Sequence, residues 1–142
     1  MNVILLGPPG VGKGTQGVLL AEGKGFKHLA TGDILRANRR EGTALGQEAQ
    51  KYMDAGELVP DELIVAMVKD TLAGLPEGQG VVFDGFPRTV PQAESLDGAL
   101  KDLNRQVDRV VVLEAADEVL VKRIAGRRSC PECGSVFNVY AN

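Results

Sequence analysis

The chain has 142 residues, 44% of them apolar and 25% charged, with a net charge of −3, the make-up of one folded domain with a real core. So mild an acidity gives no basic field to draw it onto nucleic acid or a membrane surface, and no apolar run approaches the length of a bilayer span. Met1 leads into a predicted strand without a basic leader or cleavage site, and two late cysteines make no secreted disulfide framework, so the cytoplasm is the expected compartment.

Val3-Ile4-Leu5-Leu6 reads as a short buried strand, and Val18-Leu19-Leu20-Ala21 as the buried face of the helix that follows. Between them lies Gly7-Pro8-Pro9-Gly10-Val11-Gly12-Lys13-Gly14-Thr15. A glycine-rich turn from strand to helix gathers backbone N–H groups at a helix N-terminus, where they and the helix dipole favour an anion. The glycines (Gly7, Gly10, Gly12, Gly14) are expected to adopt positive φ and let phosphate oxygens come close, and Lys13 to reach the β- and γ-phosphates as a mobile point charge. The spacing follows the P-loop pattern except that the hydroxyl comes one place late, at Thr15, behind Gly14.

Beyond Gly23 and Gly25 a short second strand is predicted at Phe26-Lys27-His28-Leu29, and Thr31-Gly32-Asp33 opens a helix through Ile34-Leu35-Arg36-Ala37. A helix over 44–55 sets Leu45, Ala49, Tyr52 and Met53 on one face and stops at Gly56. Pro60-Asp61 opens another, with Ile64, Met67, Val68 and Leu72 at helical spacing. Val81-Val82-Phe83-Asp84 is a buried strand ending in an acid. Thr89 with Gln92 resembles a capping box, and the helix behind it carries a stripe of Ala93, Leu96, Leu100 and Leu103. Val110-Val111-Val112-Leu113 reads as the clearest central strand, and Asp117 opens a helix that buries Leu120, Val121 and Ile124 and ends near Gly126. Strands alternating with amphipathic helices predict an α/β fold, a parallel central sheet flanked by helices in three layers. Ligands of such sheets lie beyond the carboxyl ends of the strands.

The chemistry-bearing residues gather at those ends. Asp84 suits a water of a Mg²⁺ shell beside phosphates, or alternatively a cap or an ion pair with Arg88. Arg36, Arg88, Arg123 and Arg127 are the candidate phosphate clamp, the last two sharing a helix face. Cys130 and Cys133 have the spacing of half a zinc knuckle, with a redox pair as the alternative. His28 reads as structural.

The runs Gly7 to Thr15, Thr31-Gly32-Asp33 with Arg36, Asp84-Gly85-Phe86-Pro87-Arg88-Thr89 with Gln92, and Asp117-Glu118 leading to Arg123 and Arg127 together resemble adenylate kinases over the whole chain. The Cys130/Cys133 pair is similar to the zinc-bearing lid of some bacterial members. The resemblance implies a P-loop NTPase-type fold and the reversible, Mg²⁺-dependent transfer of the ATP γ-phosphoryl group to AMP, giving two ADP. It implies ATP contacts at Gly10, Val11, Gly12, Lys13, Gly14, Thr15, Arg123, Arg127, Val136 and Phe137. For AMP it implies Thr31, Gly32, Arg36, Glu57, Leu58, Val59, Gly85, Phe86, Pro87, Arg88 and Gln92, with Gln92 on the adenine edge; Lys13, Asp84, Arg88 and Arg123 would serve the transfer.

By the same resemblance, residues 1–29 and 60–126 form the core, 30–59 a flap over the monophosphate, and 127–142 the start of a lid. Thr31 ahead of Gly32 points to AMP over UMP or CMP. Family members continue past this point, so the chain is expected to lack a last strand, a closing helix and two further ligands of a structural Zn²⁺ site. Members are typically monomers with no nucleic-acid or membrane partner, whereas a shortened chain is expected to be less stable or to self-associate through the open edge beside Val110 to Leu113. A non-catalytic ATP-binding module is the rival reading.

Overall fold

The protein is described by a computed structural model covering residues 1–133 and 135–140. Strands β1 (Asn2–Leu6), β2 (Lys27–Ala30), β3 (Val81–Asp84) and β4 (Arg109–Val112) form one parallel sheet in the order β2-β3-β1-β4. Helix α1 (Lys13–Lys24) joins β1 to β2. Helices α2 (Thr31–Glu41), α3 (Ala44–Asp54) and α4 (Asp61–Ala73) lie between β2 and β3 in sequence, and α5 (Val90–Asp102) leads to β4. Helix α6 (Asp117–Gly126) runs into a two-stranded antiparallel hairpin, β5 (Arg127–Ser129) and β6 (Val136–Asn138). Among the described residues no helix is long and apolar enough to cross a membrane.

The period-2 geometry of the strands sorts the core into two clusters, one on each sheet face. Ile4, Leu29, Val81 and Phe83 pack against Ile34, Ala49, Met67, Val68, Leu72, Leu96 and Leu100 from α2 to α5. Val3, Leu5 and Val82 pack against Ala21 and Leu20 of α1. The second layer is thin because α1 docks through its smallest residues. A Cβ on Gly17 would lie 2.8 Å from His28 Nε2 and 3.2 Å from Leu5 Cδ1, so the close approach depends on glycine there.

The α/β fold and its parallel sheet are as the sequence predicts, and most elements lie within a residue or two of their predicted places. Several expectations change. Val18 and Leu19 are exposed, since Gly17 and Ala21 take the buried face of α1. Among the described residues β4 pairs only with β1, so the strand read as central has the open edge that the resemblance implied beside it, and Val110, Val111 and Val112 are 53%, 43% and 60% exposed. In α6 only Leu120 of the expected three is buried, while Val121 and Ile124 are exposed. On α5 the stripe is Leu96, Ala99 and Leu100, with Ala93 outside it, and on α3 Met53 is exposed.

Candidate functional site

The site begins where β1 runs out. Gly7 has φ +144°, and a Cβ there would sit 2.5 Å from the Leu113 carbonyl oxygen, so only glycine lets the loop turn beside the neighbouring chain. Gly12, at φ +108°, is the N-cap of α1 and makes no side-chain cap; Gln16 N–H donates the first helical bond to Gly12 O at 3.0 Å. The N–H groups of the first turn therefore have no partner within the helix and point toward the loop's concavity. Gly14 departs from expectation: it lies inside α1, outside the positive-φ glycines. A Cβ there would make only an ordinary contact with Asp84 Oδ2, at 3.4 Å.

Lys13 curls back over the loop and donates from Nζ to the carbonyls of Gly7 (2.8 Å) and Pro8 (3.0 Å). Arg123 comes in from α6, its Nη1 donating to Val11 O at 3.1 Å and lying 3.5 Å from Gly10 O. Two cations from distant parts of the chain thus converge on one loop.

The second half of the site is the end of β3. Leu5 pairs with Asp84 in register, so the acid stands beside the start of the loop. Its neighbour is His28, with Nε2 3.4 Å from Asp84 Oδ2; no ion pair to Arg88 forms. The alternative of an Asp84–Arg88 pair is therefore set aside. His28 Nε2 is buried without a hydrogen-bond partner among the described residues. Sequence reasoning missed this contact. His28 and Asp84 lie on adjacent strands where Ala30 pairs with Asp84 and His28 with Val82, a diagonal relation visible only once strand order is known.

Past Asp84 the chain turns at Gly85, φ +75°, where an added Cβ would lie 3.1 Å from Arg88 Nη2 and 3.6 Å from Thr31 Oγ1. The Arg88 guanidinium and the Thr31 hydroxyl therefore meet over Gly85. Arg88 Nε donates to Gly85 O at 2.7 Å, which aims the fork while leaving its other donors for a ligand. Gly85→Ala is expected to cost about 1–2 kcal/mol for a left-handed residue bearing a Cβ. A lowered urea midpoint would register that cost, and a displaced Arg88 in a crystal structure of the variant would register the crowding; an unchanged midpoint contradicts it.

Gln92 completes this half. Its backbone N–H donates to Thr89 Oγ1 (3.3 Å), the capping bond of α5. Its side chain reaches back to Arg88 N (2.7 Å) and across to Asp61 Oδ1 (2.6 Å). Asp61, 31 residues away in sequence, carried no signal of this role.

Arg36 turns onto Asp33 within its own helix and lies over Gly32. Phe86 is 2% exposed and belongs to the core. Glu57 and Leu58 are exposed, and Val59 packs on the core. Pro87 is half-buried. Arg127 opens β5 opposite Asn138, and Val136 and Phe137 are exposed on β6. Cys130 and Cys133 flank the turn of this hairpin, and among the described residues no group of three or more potential ligands forms around them. The Ser135 hydroxyl, then its backbone, holds the Cys133 thiol below its usual pKa. A cavity of about 640 Å³ between α6 and Tyr140 includes no residue of the phosphate loop.

Asp84 and Thr15 supply hard oxygen donors next to a phosphate-binding loop, the donor set that suits Mg²⁺. Two thiols are half of a closed zinc site, and they do not fit a structural Zn²⁺ by themselves.

Residues 5–139 match the family model described as adenylate kinase. The chain is 50% identical over 142 residues to the adenylate kinase of Methanothrix thermoacetophila, covering 100% of this chain and 66% of that protein. The figures are the same for the adenylate kinase of Ruminiclostridium cellulolyticum. For that of Hydrogenobaculum sp. the identity is 49% over 140 residues, covering 99% of this chain and 66% of the relative. The chain thus spans just under two thirds of the length of these curated relatives.

Proposed function

The chain belongs to the adenylate kinase family, and from that we propose that it serves the reversible transfer of the ATP γ-phosphoryl group to AMP, giving two ADP. The observation that carries the reading is the register of β1 with β3. It sets the Lys13 loop beside Asp84, with Arg88 and Thr31 near Gly85 at the carboxyl ends of β3 and the neighbouring β2. A donor phosphate and an acceptor phosphate need such neighbouring, positively charged pockets.

Phosphoryl transfer asks a protein for alignment and charge neutralisation more than for covalent work. In this reading the first-turn N–H groups of α1 hold the ATP phosphates across Gly10, Val11, Gly12, Lys13, Gly14 and Thr15, and the Lys13 ammonium follows the transferred group. Arg123 flanks it from α6, with Arg127, Val136 and Phe137 along the nucleotide. Arg88 grips the acceptor phosphate as a fork; Thr31 and Gln92 hold the base; Arg36, Gly32, Gly85, Pro87, the Phe86 backbone and 57–59 line the rest. Asp84, through water, and Thr15 would hold Mg²⁺, which would supply further charge neutralisation. Zinc takes no part in the reading. Residues 30–59 close as a flap and 127–142, three of which lie outside the described residues, belong to the start of a lid, together excluding the water that competes as acceptor. The work is done in the cytoplasm, in a family whose members are typically monomers.

A coupled assay with ATP and AMP, CMP or UMP as acceptor tests the proposal. ADP should form fastest with AMP. Faster turnover with a pyrimidine monophosphate rejects the acceptor assignment, and ATP binding without ADP formation in the presence of AMP rejects transfer by this chain.

A further inference from the structure

The Gln92 carboxamide is held at both ends. Its Oε1 accepts from the Arg88 backbone N–H at 2.7 Å, and its Nε2 donates to Asp61 Oδ1 at 2.6 Å. A backbone N–H only donates and a carboxylate only accepts, so the amide has one orientation that satisfies both; turned over, it would face donor to donor and acceptor to acceptor. The Cα is fixed as well, by the bond from Gln92 N to Thr89 Oγ1 at the start of α5. A carboxamide offers two acceptor and two donor positions, so one of each is left on a group that cannot turn.

We propose that Asp61 is a specificity-determining positioning residue: by fixing the Gln92 amide it makes the site read a nucleobase edge with an amino group beside a bare ring nitrogen. The inference rests on the reading above, in which Gln92 meets the acceptor base. Adenine offers that edge, an N–H donor for Oε1 and a ring-nitrogen acceptor for Nε2. Held in the same pose by the sugar and phosphate, hypoxanthine and guanine offer the reverse, an oxo group beside an N–H, and meet the fixed amide like to like. Asp61 touches no substrate; it acts through Gln92. Its other duty, as an acid in the first turn of α4, is shared with Glu62 and has no bearing on which base is chosen.

The test is binding of AMP and IMP, which differ only at that edge, by calorimetry to the parent chain, Asp61→Asn and Asp61→Leu. The parent should prefer AMP by roughly 10-fold or more, the worth of a two-point base contact. Asp61→Asn, whose Oδ1 still accepts, should keep that ratio. Asp61→Leu should bring it to within about threefold while ATP affinity holds. Should Asp61→Leu not fold, Asp61→Ser, too short to reach, reads the same ratio. A parent-like ratio in the Leu or Ser variant overturns the proposal, as does a parent chain that binds AMP and IMP equally. A parent that binds neither overturns the nucleotide reading beneath it.

Discussion

Lys13→Met is expected to lower phosphoryl transfer by about 10²–10³-fold or more, the usual cost of one lost electrostatic contact to the transition state. Methionine keeps the length of the side chain and removes its charge. In the present structure that charge sits on the Gly7 and Pro8 carbonyls, within the loop it would serve. Lys13→Arg should not restore activity, because a planar fork cannot occupy a place shaped for a compact ammonium on two adjacent carbonyls. Thermal melting separates this from collapse of the fold: the midpoint should move little. Turnover by Lys13→Met within about threefold of the parent, far short of the expected loss, rules out the role assigned to Lys13.

Arg88→Ala should lower kcat/KM for AMP by about 10²–10³-fold and leave ATP affinity, read by calorimetry, close to the parent's. The asymmetry follows from geometry. Arg88 lies over Gly85 and beside Thr31, at the end of β3, whereas the first turn of α1 and Arg123 form the other pocket. Lysine at 88 would keep the charge but lose the second donor of the fork, so partial recovery at most is expected. Equal losses of AMP and ATP affinity would mean that the two pockets are not separate, and the assignment of acceptor and donor would fail.

Much of this was legible in the chain because its signals are local. A run of four apolar residues, a glycine-rich turn and a helix are contiguous, and so are β3, its terminal acid and the Gly85 to Arg88 segment that follows. What stayed hidden depends on neighbours distant in sequence. His28 beside Asp84 and Asp61 beside Gln92 each need strand order or helix packing to be known first. For β4 the three valines announce a strand, and its open edge was legible only through the family resemblance. The β5–β6 hairpin left almost no trace: Arg127, Arg128 and Ser129 are polar and exposed, so no alternation marks the strand. Phe86 is a motif residue whose ring is in the core, which its place in the motif does not announce.

The way Lys13 rests on its own loop bears on how recognition there is paid for. Lysine is among the most rotamer-rich side chains, and fixing it costs as much as about 1.5–2 kcal/mol in entropy. Here its ammonium is anchored before any anion arrives, so that ordering cost falls on folding and affinity is relieved of it. The anchoring oxygens also repel negative charge when uncovered. A neutral residue at this position therefore does more than remove an attraction: it turns two bare carbonyl dipoles toward the incoming phosphate.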